Sequence, residues 1–188
     1  MKKHFFITGL PRSRTSWLAN FFTYNDSFCF HEATRFCTNM QDLKSLMQSH
    51  QAGNTGNADP ALLYIMNDLK TYFPRSKVVL VERELHETID SFIDFYTSYE
   101  YKHIQDWIEN LFEIMERIKN KFEVKTVAHD ALNKMETCKE IWEYLLPEEP
   151  FDEKRWTLLD ELYINKLIDK HSIHVMKKSI YHKYIQYY

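Results

Sequence analysis

The sequence predicts an α/β protein of three layers, α/β/α, built around a mainly parallel central sheet, and three observations predict it. The runs His4-Phe5-Phe6-Ile7-Thr8 and Lys77-Val78-Val79-Leu80-Val81 have the unbroken hydrophobicity of strands buried on both faces. Each run is followed by a segment whose apolar residues recur at helical spacing. Strands alternating with helices imply parallel β-α units, with helices covering both faces of the sheet. At 188 residues the chain fits one domain over positions 1–188, closed by a helical C-terminal segment at about 151–188.

The elements follow in order. The first strand ends at Gly9, and after a loop from Leu10 to Ser13 the residues Trp17, Leu18, Phe21 and Phe22 mark a helix. Ser27 to Phe30 forms a short second strand through Phe28, Cys29 and Phe30. Residues 38–50 read as a helix with Met40, Leu43 and Met47 on one face. The stretch Ser49 to Asn57, rich in Gly, Asn and Gln, reads as an exposed, mobile loop. Asp59 before Pro60 caps a helix running through Leu62, Met66, Leu69 and Phe73. Lys77 to Val81 is then the third strand and runs into Glu82-Arg83. Leu85, Ile89, Phe92 and Tyr96 mark the next helix, and Ile104, Trp107, Ile108, Leu111, Met115, Ile118 and Phe122 a long one. A last strand at Val124 to Ala128 precedes Asp130, which caps a helix bearing Leu132, Met135, Ile141, Trp142 and Leu145. The tyrosine-rich remainder from Phe151 to Tyr188 reads as helical, and no internal repeat or linker divides the chain.

Composition removes several function classes. With 44% apolar and 15% aromatic residues the chain forms a real core. The 24 Lys and Arg against 27 Asp and Glu give a net charge of −3, which lacks the basic excess of a general nucleic-acid binder. The three glycines, Gly9, Gly53 and Gly56, cannot spell the glycine-rich dinucleotide turn. Cys29, Cys37 and Cys138 match no metal-ligand spacing and read as inert thiols of a reducing compartment. Neither Cys nor carboxylate partners give His171, His174 and His182 ligand spacing, so no metal site is expected. Lys177, Lys178 and Lys183 read as a solvated helix face. No 18-residue apolar run occurs, and the apolar start breaks at Gly9-Leu10-Pro11-Arg12, so a soluble, cytoplasmic protein without a membrane partner is expected.

The segment Gly9-Leu10-Pro11-Arg12-Ser13-Arg14-Thr15-Ser16 lies where an α/β nucleotide-binding domain has its phosphate loop. Loop amides and a helix N-terminus there favour an anion. A P-loop of the kinase type has a second Gly where this chain has Arg14 and a Lys where it has Thr15. Nor does the strand at Lys77 to Val81 end in the Asp that helps hold magnesium in such enzymes. The phosphate cradle is kept and the ATP-handling groups are absent.

Pro11-Arg12-Ser13-Arg14-Thr15-Ser16-Trp17 resembles the 5′-phosphosulfate loop of the sulfotransferases: Pro, Lys or Arg, Ser, Gly, Thr, Thr or Ser, then Trp or Leu. The second sulfotransferase signature, a strand ending in Arg with a Ser eight positions on, is similar to Phe73-Pro74-Arg75-Ser76-Lys77-Val78-Val79-Leu80-Val81-Glu82-Arg83 with Ser91. A weaker likeness sets His129-Asp130-Ala131-Leu132 where the family often has Arg-Tyr-Glu-Asp-Leu. The resemblance covers about residues 3 to 146, and the family's C-terminal segment that closes over the cofactor is not recognisable. It implies a short, bacterial- or phage-type member with the P-loop nucleotide-hydrolase-like fold of that family. The implied donor is 3′-phosphoadenosine-5′-phosphosulfate (PAPS), leaving adenosine 3′,5′-bisphosphate (PAP), with a small-molecule or peptide acceptor.

Each position then has a chemical role. Sulfuryl transfer moves less charge than phosphoryl transfer, so a cationic side chain and oriented amides can replace a metal. By the resemblance Arg12 is expected to stabilise charge on the bridging and leaving oxygens, and Ser13, Thr15 and Ser16 to donate to the 5′-phosphate. By the resemblance Pro11 and Arg14 belong to the same loop, Trp17 stacks on adenine, and Arg83 with Ser91 holds the 3′-phosphate. Arg14 stands in place of the family's Gly and is expected to need a helical backbone there, adding positive charge to the loop. The acceptor's proton needs a base. His31-Glu32-Ala33-Thr34-Arg35 follows the second strand and looks like the Glu-x-Thr-Arg stretch of sulfotransferases acting on protein tyrosine. Glu32 is favoured, then His31, with His129 and His103 next. A neighbouring His31 and Arg35 are expected to keep the Glu32 pKa low. A P-loop small-molecule kinase and a non-catalytic nucleotide-binding relative are the alternative readings.

Overall fold

The computed structural model describes residues 2–95 and 101–161. Five strands form one sheet: β1 Lys3–Gly9, β2 Ser27–His31, β3 Asn54–Ala58, β4 Lys77–Glu82 and β5 Lys125–Ala128. The spatial order is β2-β3-β1-β4-β5, and every pairing is parallel. The central strand β1 lies between β3, where Ile7 is opposite Ala58, and β4, where Gly9 is opposite Val81.

Alternation along the central strands explains the three layers. Phe5, Ile7, Val79 and Val81 point to one face, where α1 Thr15–Phe21, α6 Met135–Leu145 and α7 Glu153–Glu161 contribute Trp17, Phe21, Trp142 and Leu159. Phe6, Val78 and Leu80 point to the other, covered by α2 Met40–Ser49, α3 Met66–Tyr72 and α5 Tyr101–Lys121 through Met47, Leu69 and Met115. Helix α4 Leu85–Phe95 packs on α5 through Ile89 against Ile104 and Ile108. Each such buried side chain contributes roughly 1.5 to 3 kcal/mol. The aromatic stripe of α5 and Trp142 serve the core, as their spacing predicts.

The largest departure from the sequence reading is β3. The segment expected to be an exposed loop supplies a sheet strand in which Thr55, Gly56, Asn57 and Ala58 are buried. Its polar groups have partners: Thr55 Oγ1 lies 2.8 Å from His4 Nδ1, and Asn57 reaches Ala33 and Asp59. Gly56 is small for a reason, because a Cβ there would fall 2.2 Å from Phe5 Cε2. Two helix starts also differ. Asp59 does cap, its Oδ1 accepting Ala61 N–H at 2.9 Å, but the turn Pro60–Leu63 is 3₁₀ and α3 begins only at Met66. Asp130 lies inside a 3₁₀ turn, His129–Asn133, rather than capping α6, which starts after Lys134 without a side-chain cap.

Helix α7, Glu153–Glu161, lies within the segment expected to be helical, and residues 162–188 of that segment lie outside the described residues. Tyr96 and the C-terminal residues His171, His174, His182, Lys177, Lys178 and Lys183 lie outside the described residues. Cys29, Cys37 and Cys138 are buried and unbridged. Burial pushes the thiol of Cys29 up, and those of Cys37 and Cys138 to about 11, which fits inert thiols.

Candidate anion and acceptor site

The loop between β1 and α1 begins where two strands approach closely: a Cβ on Gly9 would fall 2.4 Å from the Val81 carbonyl oxygen. Leu10 then anchors the loop in the core, and Ser13 N–H closes it onto the Leu10 carbonyl at 3.2 Å. Pro11, Ser13 and Thr15 are buried while Arg12, Arg14 and Ser16 are partly open. The Ser13 hydroxyl is buried, and among the described residues it has no hydrogen-bond partner. A phosphate oxygen at this loop fits that hydroxyl.

Arg12 and Arg14 both take the left-handed backbone, with φ 68° and 60°. For Arg14 this corrects the expectation of a helical backbone; it is the N-cap of α1 at φ 60°, ψ 23°, a conformation that Gly adopts without strain and Arg does not. Its guanidinium finds its partners outside the loop. It turns to Asn133 Oδ1 (2.5 Å) and Asp160 Oδ1 (3.5 Å), and lies over the Trp17 ring at 4.7 Å. Trp17 is 5% exposed, stacked on Phe21, with its indole N–H donating to the Leu159 carbonyl at 2.9 Å. Helix α7 therefore covers the ring expected to meet adenine, and Trp17 serves the core here.

The second signature comes to the loop from the neighbouring strand. Arg83, just beyond β4, donates from Nη1 to the Arg12 carbonyl at 2.7 Å, and Arg12 Nε donates to Ser91 Oγ of α4 at 3.3 Å. Arg83 Nε lies 3.7 Å from Glu87. The two stretches that resemble the two sulfotransferase signatures thus meet at one residue.

The candidate bases lie on the other side of the loop, at the end of β2. His31 Nε2 is 2.9 Å from Ser16 Oγ and 3.5 Å from Thr15 Oγ1, and its ring is 3.7 Å from Glu32. Glu32, at φ 54°, forms an ion pair with Arg35. Burial pushes the Glu32 carboxyl up to about 7 against the pull of Arg35, and pushes His31 down to about 4. That reverses the expectation of a low Glu32 pKa: desolvation outweighs the guanidinium, and His31 is uncharged near neutrality. His129, held at 3.0 Å from Asp130, is also lowered by burial and lies across the sheet near Arg83.

Asn57 and Asp59 were not expected at the site. Asp59 follows the true third strand, where kinase-type P-loop enzymes have their magnesium-binding Asp, so the absence of that Asp no longer separates the classes. Its carboxyl is committed, however, to Ala61 N–H (2.9 Å), Thr34 N–H (3.2 Å), Thr34 Oγ1 (2.5 Å) and Asn57 Nδ2 (3.4 Å). The Asp59-Pro60 cap was legible in the sequence; its link to Thr34 was not.

A cavity of about 360 Å³ opens beside Arg83, lined on one wall by Glu82, Glu84 and Glu87 and on another by His129 and Asp130. Glu87, His129 and Asp130 bring ligand atoms within 4.8 Å of one another, a grouping that the sequence spacing gave no sign of. Among the described residues no helix is long and apolar enough to cross a membrane.

No protein-family model and no curated protein matches this sequence. Among solved structures, the chain is similar to mouse sulfotransferase SULT7A1 complexed with PAP, at TM-score 0.59 and 13% identity. The fold is sulfotransferase-like. The match covers 85% of this chain but 63% of the mouse protein. At that identity the likeness concerns the fold alone and lends nothing to a bacterial or phage origin.

Proposed function

We propose that the protein is a PAPS-dependent sulfotransferase acting on a hydroxyl or amine acceptor. The observation that carries this reading is the convergence on Arg12 of Arg83 and Ser91, 71 and 79 residues away, beside the orphaned Ser13 hydroxyl. The sulfotransferase-like fold, and a structural neighbour solved with PAP, support it.

In this reading the loop from Pro11 to Ser16 binds the 5′-phosphosulfate and Arg83 with Ser91 the 3′-phosphate. Arg83 also fixes the Arg12 backbone, so the Arg12 guanidinium is held ready for charge on the oxygen that leaves. Glu32 takes the acceptor's proton as the acceptor oxygen bonds to sulfur; the bond from sulfur to the 5′-phosphate oxygen breaks, and PAP departs with that electron pair. A carboxyl titrating near 7 is matched to this task at neutral pH. His31, uncharged and beside Ser16, orients the hydroxyl that faces the donor. Trp17 offers no aromatic platform while α7 covers it, so in this reading the nucleotide is held through its phosphates.

The test is transfer of sulfate from PAPS to a panel of phenolic, sugar and alcohol acceptors, with Glu32→Gln alongside. Transfer that falls roughly 10²- to 10⁴-fold in Glu32→Gln, at unchanged PAP affinity, is the expected result. PAP binding without transfer to any acceptor selects the non-catalytic reading; magnesium-dependent ATP turnover selects the kinase.

A further inference from the structure

The turn that carries Glu32 is held by three successive backbone amides, each tied to a different residue at the end of β3. Glu32 N–H donates to the Ala58 carbonyl at 3.0 Å, Ala33 N–H to Asn57 Oδ1 at 3.0 Å, and Thr34 N–H to Asp59 Oδ2 at 3.2 Å. Asp59 is itself fixed, being fully buried, and its backbone is tied to β1 through Thr8 Oγ1 donating to its carbonyl (2.9 Å) and its own N–H donating to Ile7. Asn57 Nδ2 donates to the Asp59 carboxyl, so the two side chains act as one unit.

Such an arrangement is more than a turn needs. Glu32 stands in the left-handed region at φ 54°, ψ 45°, which a non-glycine residue keeps only where its surroundings over-determine it. Two buried polar side chains beside one short turn are costly unless satisfied, and here both are, Asp59 by Thr34, Asn57 and its cap on Ala61. We infer that Asp59 and Asn57 are positioning residues, which hold Glu32 at the loop in the orientation that takes the acceptor's proton; this rests on the sulfotransferase reading above. Three charged or titratable groups face Glu32: His31 at the end of β2, Arg35 on its own turn, and Asp59 beyond β3. Asp59 therefore acts on Glu32 in two ways, through the Thr34 amide and through its charge.

The experiment follows the Glu32 carboxyl by isotope-edited infrared titration in the full chain, in wild type, Asp59→Asn and Asn57→Ala, with PAP affinity and turnover measured on the same samples. Asp59→Asn removes a like charge and one acceptor oxygen; Asn57→Ala frees the Ala33 amide and admits water to the turn. Both are expected to move the Glu32 midpoint down from about 7 towards the ordinary carboxylate range, to lower turnover about 10²-fold and to leave PAP affinity within about threefold. If Asp59→Asn does not fold, Asn57→Ala decides alone by the same readings. A midpoint that stays near 7 in a folded variant overturns the inference even where turnover falls, because a loss without a shift is merely structural. The titration needs no turnover, so a wild type that transfers no sulfate removes the functional reading while the midpoints still judge the positioning.

Discussion

Arg83 donates from Nη1 to the backbone carbonyl of Arg12 at 2.7 Å, so the guanidinium just beyond β4 holds the loop between β1 and α1. The contact fixes a residue that is in the left-handed region at φ 68°. Arg12 is thereby placed before any ligand arrives, which is where preorganised charge is most effective. Arg12→Ala is expected to lower sulfate transfer on the order of 10²- to 10³-fold while weakening PAP binding far less. Single-turnover rates and PAP titration separate the two, and near-normal turnover would restrict Arg12 to shaping the loop.

Arg14 yields a second prediction, because its strain and its contacts can be separated. Arg14→Ala and Arg14→Gly both remove the contacts with Asn133, Asp160 and Trp17. Only Gly also relieves the left-handed backbone at φ 60°. Arg14→Gly is therefore expected to be more stable than Arg14→Ala by about 1 kcal/mol in denaturant melts. Because the side chain points to α7, neither change should alter PAP affinity more than about threefold. Ala as stable as Gly would show that the loop is not held left-handed.

The pair at the end of β2 predicts opposite slopes of stability with pH. The Glu32 carboxyl is raised from 4.5 to about 7, so the folded state holds its proton more tightly, and that stability is present below 4.5 and lost as pH rises through 7. The imidazole of His31 is lowered from 6.5 to about 4, so its contribution is present above 6.5 and lost as pH falls through 4. Relative to wild type, Glu32→Gln should gain on the order of 1 to 3 kcal/mol between pH 5 and pH 8. His31→Asn should do the reverse, gaining on acidification by a smaller amount because its ring is partly solvated. Parallel pH curves for Glu32→Gln and wild type would contradict the raised carboxyl.

What the sequence made legible follows from how burial is written in it. Strands β1 and β4 are unbroken apolar runs, so they and the loop between β1 and α1 could be located, along with Arg12, Arg83 and Ser91. Strand β3 has the sequence Asn-Thr-Gly-Asn-Ala, in which Thr55 and Asn57 find side-chain partners at His4 and Ala33, distant in sequence, and the glycine makes room for Phe5. Nothing local distinguishes that from a loop, and with the strand went the roles of Asn57 and Asp59. The fate of Trp17 depended on α7, whose helical moment is weak and whose partner Arg14 reads as a loop charge. Glu32 and His31 could be located near the end of the second strand, with His31 the last residue of β2, but their protonation depends on burial, which local sequence does not show.

In the proposed reading, the Arg12 loop and the Arg83 and Ser91 pair form one site for a nucleotide carrying both a 5′- and a 3′-phosphate. Calorimetric titration with PAP and with AMP, on wild type and Arg83→Ala, tests it most directly. PAP is expected to bind wild type and to raise its stability by about 2.7 kcal/mol at a hundred times its dissociation constant. AMP, which lacks the 3′-phosphate, should bind at least about tenfold more weakly, and Arg83→Ala should bring PAP down to the level of AMP. Equal affinity for PAP and AMP in wild type, or no binding of either, would contradict it.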